Sequence, residues 1–205
     1  MRSEQEMMSM LVDFAMNDSR IRLATLEGSR TNKNIPPDTF QDYDVSYLVT
    51  DIESFKENDQ WLNVFGKRIM MQKPEDMELF PPELGNWFSY LIVFEDGDKL
   101  DLTLIPVIET EDYFANSDGL IEVLLDKDAR IKNEVHANDR QYWIKKPTAR
   151  QFDDCCNEFW MVWTYVVKGL ARKEILFAID HLHESASELV KNDGLAHRIG
   201  ARIYL

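Results

Sequence analysis

The sequence predicts an α/β (α+β) protein: an N-terminal domain with a mixed sheet of about five strands flanked by helices, followed by an α-helical C-terminal region. Three observations carry that reading. Short alternating apolar runs recur as far as Val107, helical patterns are interspersed among them, and beyond Pro147 the spacing becomes that of long helices. The composition, 44% hydrophobic and 29% charged with 8 Gly and 7 Pro in 205 residues, is that of a folded globular chain.

From Ser3 to Asn17, Met7, Met8, Leu11, Phe14 and Ala15 recur at helical spacing, with Glu4 and Glu6 in the first turn; the methionines read as core filling. Ile21 to Glu27 alternates as a strand and ends at Gly28. A loop from Thr31 to Asp38 precedes a second strand, Tyr43 to Val49. A charged helical segment is expected near Ile52 to Phe65, a strand at Lys67 to Met71, and an irregular connection through Pro74, Pro81 and Pro82. Phe88 to Phe94 and Lys99 to Val107 flank Glu95-Asp96-Gly97-Asp98, and Asp-Gly between apolar runs is a hairpin signal. Helical patterns then cover Tyr113 to Leu125. The connection Tyr142-Trp143-Ile144-Lys145-Lys146-Pro147 marks a boundary between domains at 1–146 and 147–205. Thr148, with Gln151 three residues later, is placed to cap a long helix running to about Leu170. A second helix, Lys173 to about Glu188, follows Gly169 closely enough for the join to be a bend rather than a turn.

With 37 Asp+Glu against 23 Lys+Arg, the net charge is −14 and the pI about 4.7. Such a surface repels phosphate backbones, which argues against a nucleic-acid partner, and attracts cations. No apolar run approaches the roughly 20 residues a membrane helix needs, and the first residues lack a signal peptide's apolar segment. The expectation is a cytoplasmic protein without membrane association. Cys155 and Cys156 are adjacent, fit no C-x-x-C spacing and read as small core residues; Trp160 and Trp163 likewise read as core. His181 and His183 lie two apart, on different helix faces, so no His-Cys metal site is proposed.

The chemistry-bearing constellation is Gly28-Ser29-Arg30, a loop, Asp42-Tyr43-Asp44-Val45, and then Leu100-Asp101-Leu102. Asp42 and Asp44, at i and i+2, project to one side of a strand with Cα atoms roughly 7 Å apart. Asp101 joins them if its strand is a neighbour. Three crowded carboxylates raise one another's pKa unless positive charge is present, and hard Mg²⁺, usually shared with substrate phosphates, supplies it. A Gly-Ser turn after a strand lets backbone N–H groups approach phosphate oxygens. No Walker, G-x-G-x-x-G or G-x-S-x-G pattern occurs.

The order of these motifs, Gly-Ser, twelve residues, D-h-D-h and a later isolated h-D-h with h apolar or aromatic, resembles the signature of the nucleotidyltransferase superfamily of DNA polymerase beta. The later run Phe152-Asp153-Asp154-Cys155-Cys156-Asn157-Glu158-Phe159-Trp160, continuing through Tyr165 to Leu176, is similar to the bacterial aminoglycoside 6-adenylyltransferases, the streptomycin adenylyltransferases. Glu27-Gly28-Ser29-Arg30 and Pro81-Pro82 agree, and the resemblance covers Met1 to about Leu182. It implies ATP- and Mg²⁺-dependent transfer of AMP to a streptomycin hydroxyl, with release of pyrophosphate and antibiotic resistance. It maps the catalytic, metal-binding carboxylates, with two Mg²⁺ ions, onto Asp42, Asp44 and Asp101, and the phosphate-binding turn onto Gly28, Ser29 and Arg30. Asp101 is the candidate general base.

Lys168 and Arg172, at i and i+4 on the long helix, are candidates for the triphosphate; the competing reading is a solvated or salt-bridged pair with Glu174 or Asp154. Asp153, Asp154 and Glu158 are candidate partners for drug guanidinium groups, or else dipole partners at a helix start. Family members continue as a longer helical domain, so Ser185 to Leu205 is expected to be a shortened C-terminus. That leaves two alternatives to streptomycin adenylylation: a non-catalytic nucleotide-binding or regulatory module, and transfer to another small antibiotic.

Overall fold

A capping box starts the first helix, α1 (Glu4–Asn17): the Ser3 hydroxyl accepts from Glu6 N and the Glu6 carboxylate accepts from Ser3 N. The computed structural model describes residues 2–143 and 147–192, with side chains as far as 186. After α1 come six strands, β1 (Ile21–Glu27), β2 (Tyr43–Val49), β3 (Arg68–Gln72), β4 (Phe88–Phe94), β5 (Lys99–Pro106) and β6 (Ile121–Asp126). They form one mixed sheet in the order β3-β4-β5-β2-β1-β6, with β2 and β5 parallel and the other neighbours antiparallel.

Alternation gives the sheet two different faces. On one, Tyr43, Val45, Tyr47, Tyr90, Ile92, Leu100, Leu102 and Leu104 pack against Met7, Leu11 and Ala15 of α1 and against Phe55, Leu62 and Phe65. The buried Tyr47 hydroxyl is satisfied there, donating to Leu11 O at 2.8 Å. The other face changes character rung by rung. Leu23, Leu48 and Ile105 lie level at one end, then Thr25, Ser46, Thr103 and Ser89, and finally Glu27, Asp44 and Asp101. Tyr113 of α3 (Thr110–Ala115) covers part of this face, packed with Leu23, Leu48, Ile105 and Ile121.

Two expectations for this region need correction. The helical segment expected over 52–65 divides into α2 (Glu53–Lys56) and a 3-10 turn at Gln60–Phe65, because Asn58 Oδ1 accepts from Gln60 N and competes with helix continuation. The helix expected from Tyr113 to Leu125 stops at Ala115. Gly119, at φ 93°, and Asp118, whose carboxylate accepts from Leu120 N, turn the chain, and Ile121–Asp126 pairs with the free edge of β1 as a sixth strand.

The chain divides into two compact units, Met1–Asp139 and Arg140–Leu205. In the second, Thr148 and Gln151 form the expected capping box for α4 (Ala149–Ala171), and α5 (Ile175–Asn192) packs against α4. The join is a turn rather than a bend at Gly169, with Lys173 at φ 62°. Gly169 lies inside α4, where an added Cβ would come within 3.0 Å of Ala178 Cβ and Phe177 Cδ1, so it permits close helix approach. Cys155 and Cys156 are half-buried, and Trp160 and Trp163 are exposed, against the expectation of core. Among the described residues the helices bury a narrow stripe, Val166 and Gly169 on α4 and Ala178 and Ser185 on α5, and these side chains fall outside it. Part of the connection expected at 142–147 and most of the segment from Ser185 to Leu205 lie outside the described residues. Among the described residues no helix is long and apolar enough to cross a membrane.

Candidate active site

The parallel pairing of β2 with β5 sets the geometry. Tyr43 lies level with Leu100 and Asp44 with Asp101, which places Asp42, just before β2, level with Lys99. Asp42, Asp44, Lys99 and Asp101 therefore share the polar face, three acids and one base on two successive rungs. Lys99 Nζ donates to Asp42 Oδ2 at 2.5 Å and to Asp101 Oδ2 at 2.9 Å. Burial works against the lysine's charge, but these two carboxylates outweigh it and hold the ammonium above its ordinary pKa. On the other side of Asp44 lies Glu27, directly across the antiparallel β1–β2 pair.

Asp44 has the least favourable position. Its carboxyl is pushed up to about 6, chiefly by burial and then by the charges of Asp101, Asp42 and Glu27. Burial also raises Glu27, partly offset by hydrogen bonds from Ser46, Tyr113 and Thr25. Tyr113 Oη donates to Glu27 Oε1 at 2.5 Å and lies 2.6 Å from Thr25 Oγ1.

The turn after β1 is built against these acids. Gly28, at φ 69°, opens a 3-10 turn, Gly28–Thr31, and a Cβ there would overlap Asp44 Oδ2. Glycine is required on both counts, conformation and space. Its own N–H donates to Leu120 O at 2.9 Å, so it is committed within the fold. Arg30 binds the loop rather than standing free. Its Nε donates to Asp42 O at 2.9 Å and a terminal nitrogen donates to Gln41 O at 2.8 Å, while the guanidinium stacks 3.7 Å over the Tyr43 ring. The Ser29 carbonyl accepts from Gln41 Nε2 at 3.2 Å, closing the same loop.

The donor set suits a hard divalent cation: carboxylate oxygens only, with one of them, Asp101 Oδ1, buried and without a hydrogen-bond partner. As the side chains stand, no His, Cys, Asp and Glu trio among the described residues converges into a ready metal cage. The ammonium of Lys99 lies between Asp42 and Asp101 instead.

Lys168 and Arg172 are exposed on and at the end of α4, in the second unit, and Arg172 N donates to Lys168 O. Asp154 pairs with Arg150 at 3.7 Å; Asp153 and Glu158 are exposed on the same helix. Two residues of the site escaped the sequence reading. Lys99 had a signal in its i, i+2 spacing from Asp101, and Glu27 in a charge at the end of a strand, directly before Gly28.

The streptomycin adenylyltransferase family model matches residues 1–193. An aminoglycoside 6-adenylyltransferase of Bacillus subtilis (strain 168) is 81% identical over 184 residues, 90% of this chain and 65% of that protein. Those of Campylobacter jejuni and Staphylococcus aureus are 56% and 51% identical, over 90% and 89% of this chain and 63% and 65% of theirs. A crystal structure of an aminoglycoside 6-adenyltransferase from Bacillus subtilis superposes with a TM-score of 0.56 at 71% identity, covering 93% of this chain and 66% of that one. The chain thus spans just under two thirds of the length of these relatives. On the family match and these identities, the chain belongs to the streptomycin adenylyltransferase family.

Proposed function

We propose that the acidic face of the first unit is the centre of an adenylyl transfer, in which AMP passes from ATP to a hydroxyl of streptomycin and pyrophosphate departs. The observation that carries this reading is the placement of Asp42, Asp44 and Asp101 on one sheet face beside the Gly28 turn. In bond terms, an acceptor hydroxyl oxygen forms a bond to the α-phosphorus, the bond from that phosphorus to the bridging oxygen breaks, and pyrophosphate takes the electron pair. Asp42, Asp44 and Asp101 are the residues that would hold Mg²⁺, two ions in this reading. Divalent cations bound there supply positive charge against the triphosphate and the departing pyrophosphate.

The chain's own residues do the rest. Asp101 is assigned the proton leaving the acceptor hydroxyl. Arg30 anchors the backbone of Asp42 and Gln41, so the Gly28-Ser29-Arg30 turn and the first carboxylate are held as one piece. Ser29 is assigned to the phosphates within that turn. Lys168 and Arg172 remain candidates for the triphosphate, and the domain assignment remains a catalytic domain at 1–146 with a helical domain from 147. The reaction is placed in the cytoplasm, where ATP is available.

The test is pyrophosphate release by the purified chain with ATP, Mg²⁺ and streptomycin, beside its Asp42→Asn variant. Release that needs the drug and is abolished by the substitution is the expected result. ATP–Mg²⁺ binding by calorimetry without release in any drug of an aminocyclitol and lincosamide panel would replace this reading with that of a nucleotide-binding module.

A further inference from the structure

We propose that Lys99 is a built-in competitor of the divalent cation: its ammonium engages Asp42 and Asp101 in the metal-free chain and must give them up before a cation can take them. This rests on the reading of Asp42, Asp44 and Asp101 as a cation site. The geometry is specific. Lys99 Nζ lies 2.5 Å from Asp42 Oδ2 and 2.9 Å from Asp101 Oδ2, and it donates a hydrogen bond to each. Continued by one residue, the strand register that aligns Asp44 with Asp101 brings Lys99 level with Asp42, just before β2, whose carbonyl Arg30 Nε holds at 2.9 Å, so sheet register and an anchored loop end set this contact together.

Lys99 compensates the site incompletely. One ammonium stands among Asp42, Asp44, Asp101 and Glu27, and Asp101 Oδ1 is left buried without a donor. A Mg²⁺ ion carries twice the charge and binds oxygens at about 2.0–2.1 Å, closer than an ammonium can. The two cations cannot share the same Oδ2 atoms without standing in repulsive proximity. Lys99 thereby keeps the acids paired when no cation is bound, and the same pairing weakens the bare protein's hold on metal. Strong binding then requires a ligand that brings negative charge with the cation, which is what a metal-complexed triphosphate does.

Mn²⁺ alone, without nucleotide, is the probe. It is titrated into the metal-free chain and free ion is read from the electron paramagnetic resonance signal of aqueous Mn²⁺, with thermal unfolding measured in parallel. Lys99→Met should bind Mn²⁺ about tenfold more tightly than the parent, unfold at lower temperature without metal, and gain more from added Mn²⁺. Lys99→Arg, which keeps the charge, should stay near the parent in both measurements. If the parent binds Mn²⁺ and Lys99→Met binds it no better, the inference about Lys99 is overturned while the cation site stands. If neither binds at millimolar Mn²⁺, the cation site falls and the inference with it. Should Lys99→Met be unfolded without metal, recovery of its circular dichroism spectrum by Mn²⁺ supports the proposal and failure to recover overturns it.

Discussion

The hydroxyl of Tyr113 donates to Glu27 Oε1 at 2.5 Å, tying the short helix α3 to the end of strand β1 at the edge of the acidic face. Glu27 is level with Asp44, so this bond holds a fourth carboxylate next to the three assigned to catalysis. Tyr113→Phe removes the donor and leaves a buried carboxylate under-satisfied. A loss of about 2 kcal/mol is expected, measured by urea unfolding with an unchanged m-value. An unaltered midpoint would mean that Thr25 and Ser46 suffice for Glu27.

Asp44 is held in a site that opposes its charge. Asp44→Asn removes the repulsion from Asp101, Asp42 and Glu27, so the metal-free protein should gain about 1 kcal/mol and a few degrees in Tm. Turnover measured as pyrophosphate release should fall by at least about a thousandfold, as expected for loss of a group that stabilises developing charge. Gain of stability with loss of activity is the signature of a carboxylate kept for chemistry. A variant both less stable and still active would contradict it.

At the far end of β1, Asp128 accepts from Arg22 Nε and from Arg130 Nε, each at 3.0 Å. The Arg22 hydrogen bond, with help from Arg130, holds the Asp128 carboxyl at about 2, below its ordinary 3.8. An acid depressed in the native state adds stability above its unfolded value and loses it as pH falls through the native one. Asp128→Asn should therefore lower Tm at pH 7, and its difference from the parent should shrink as pH falls from about 4 toward 2. Thermal scans across that range check the sign. A constant difference would assign the effect to packing.

Much of this was legible in the chain. Alternation located β1, β2, β4 and β5, and Asp-Gly marked the β4–β5 hairpin, because these signals depend on nearest neighbours. The sixth strand is not legible locally, because the apolar residues of 113–125 also suit a helical stripe; what decides it is the open edge of β1, which no local pattern reveals. The exposure of Trp160 and Trp163 is hidden for a related reason, since apolar spacing on α4 does not say which residues find a partner. The candidate site divides in the same way. Asp42 and Asp44 share a face by spacing alone. Lys99 and Glu27 carry at most a local hint, and what brings them to the acids is the pairing of β5 and β1 with β2, a relation between distant segments.

The acidic rung also bears on how the chain folds. If β5 slid by one residue along β2, Asp101 and Lys99 would turn into the apolar face beneath α1 while Leu100 and Leu102 turned out of it. Burying unpaired charge there would cost far more than the mutual repulsion the acids endure in their proper places. The carboxylates assigned to catalysis thus also proofread strand alignment, excluding the misaligned sheet before any substrate has been met.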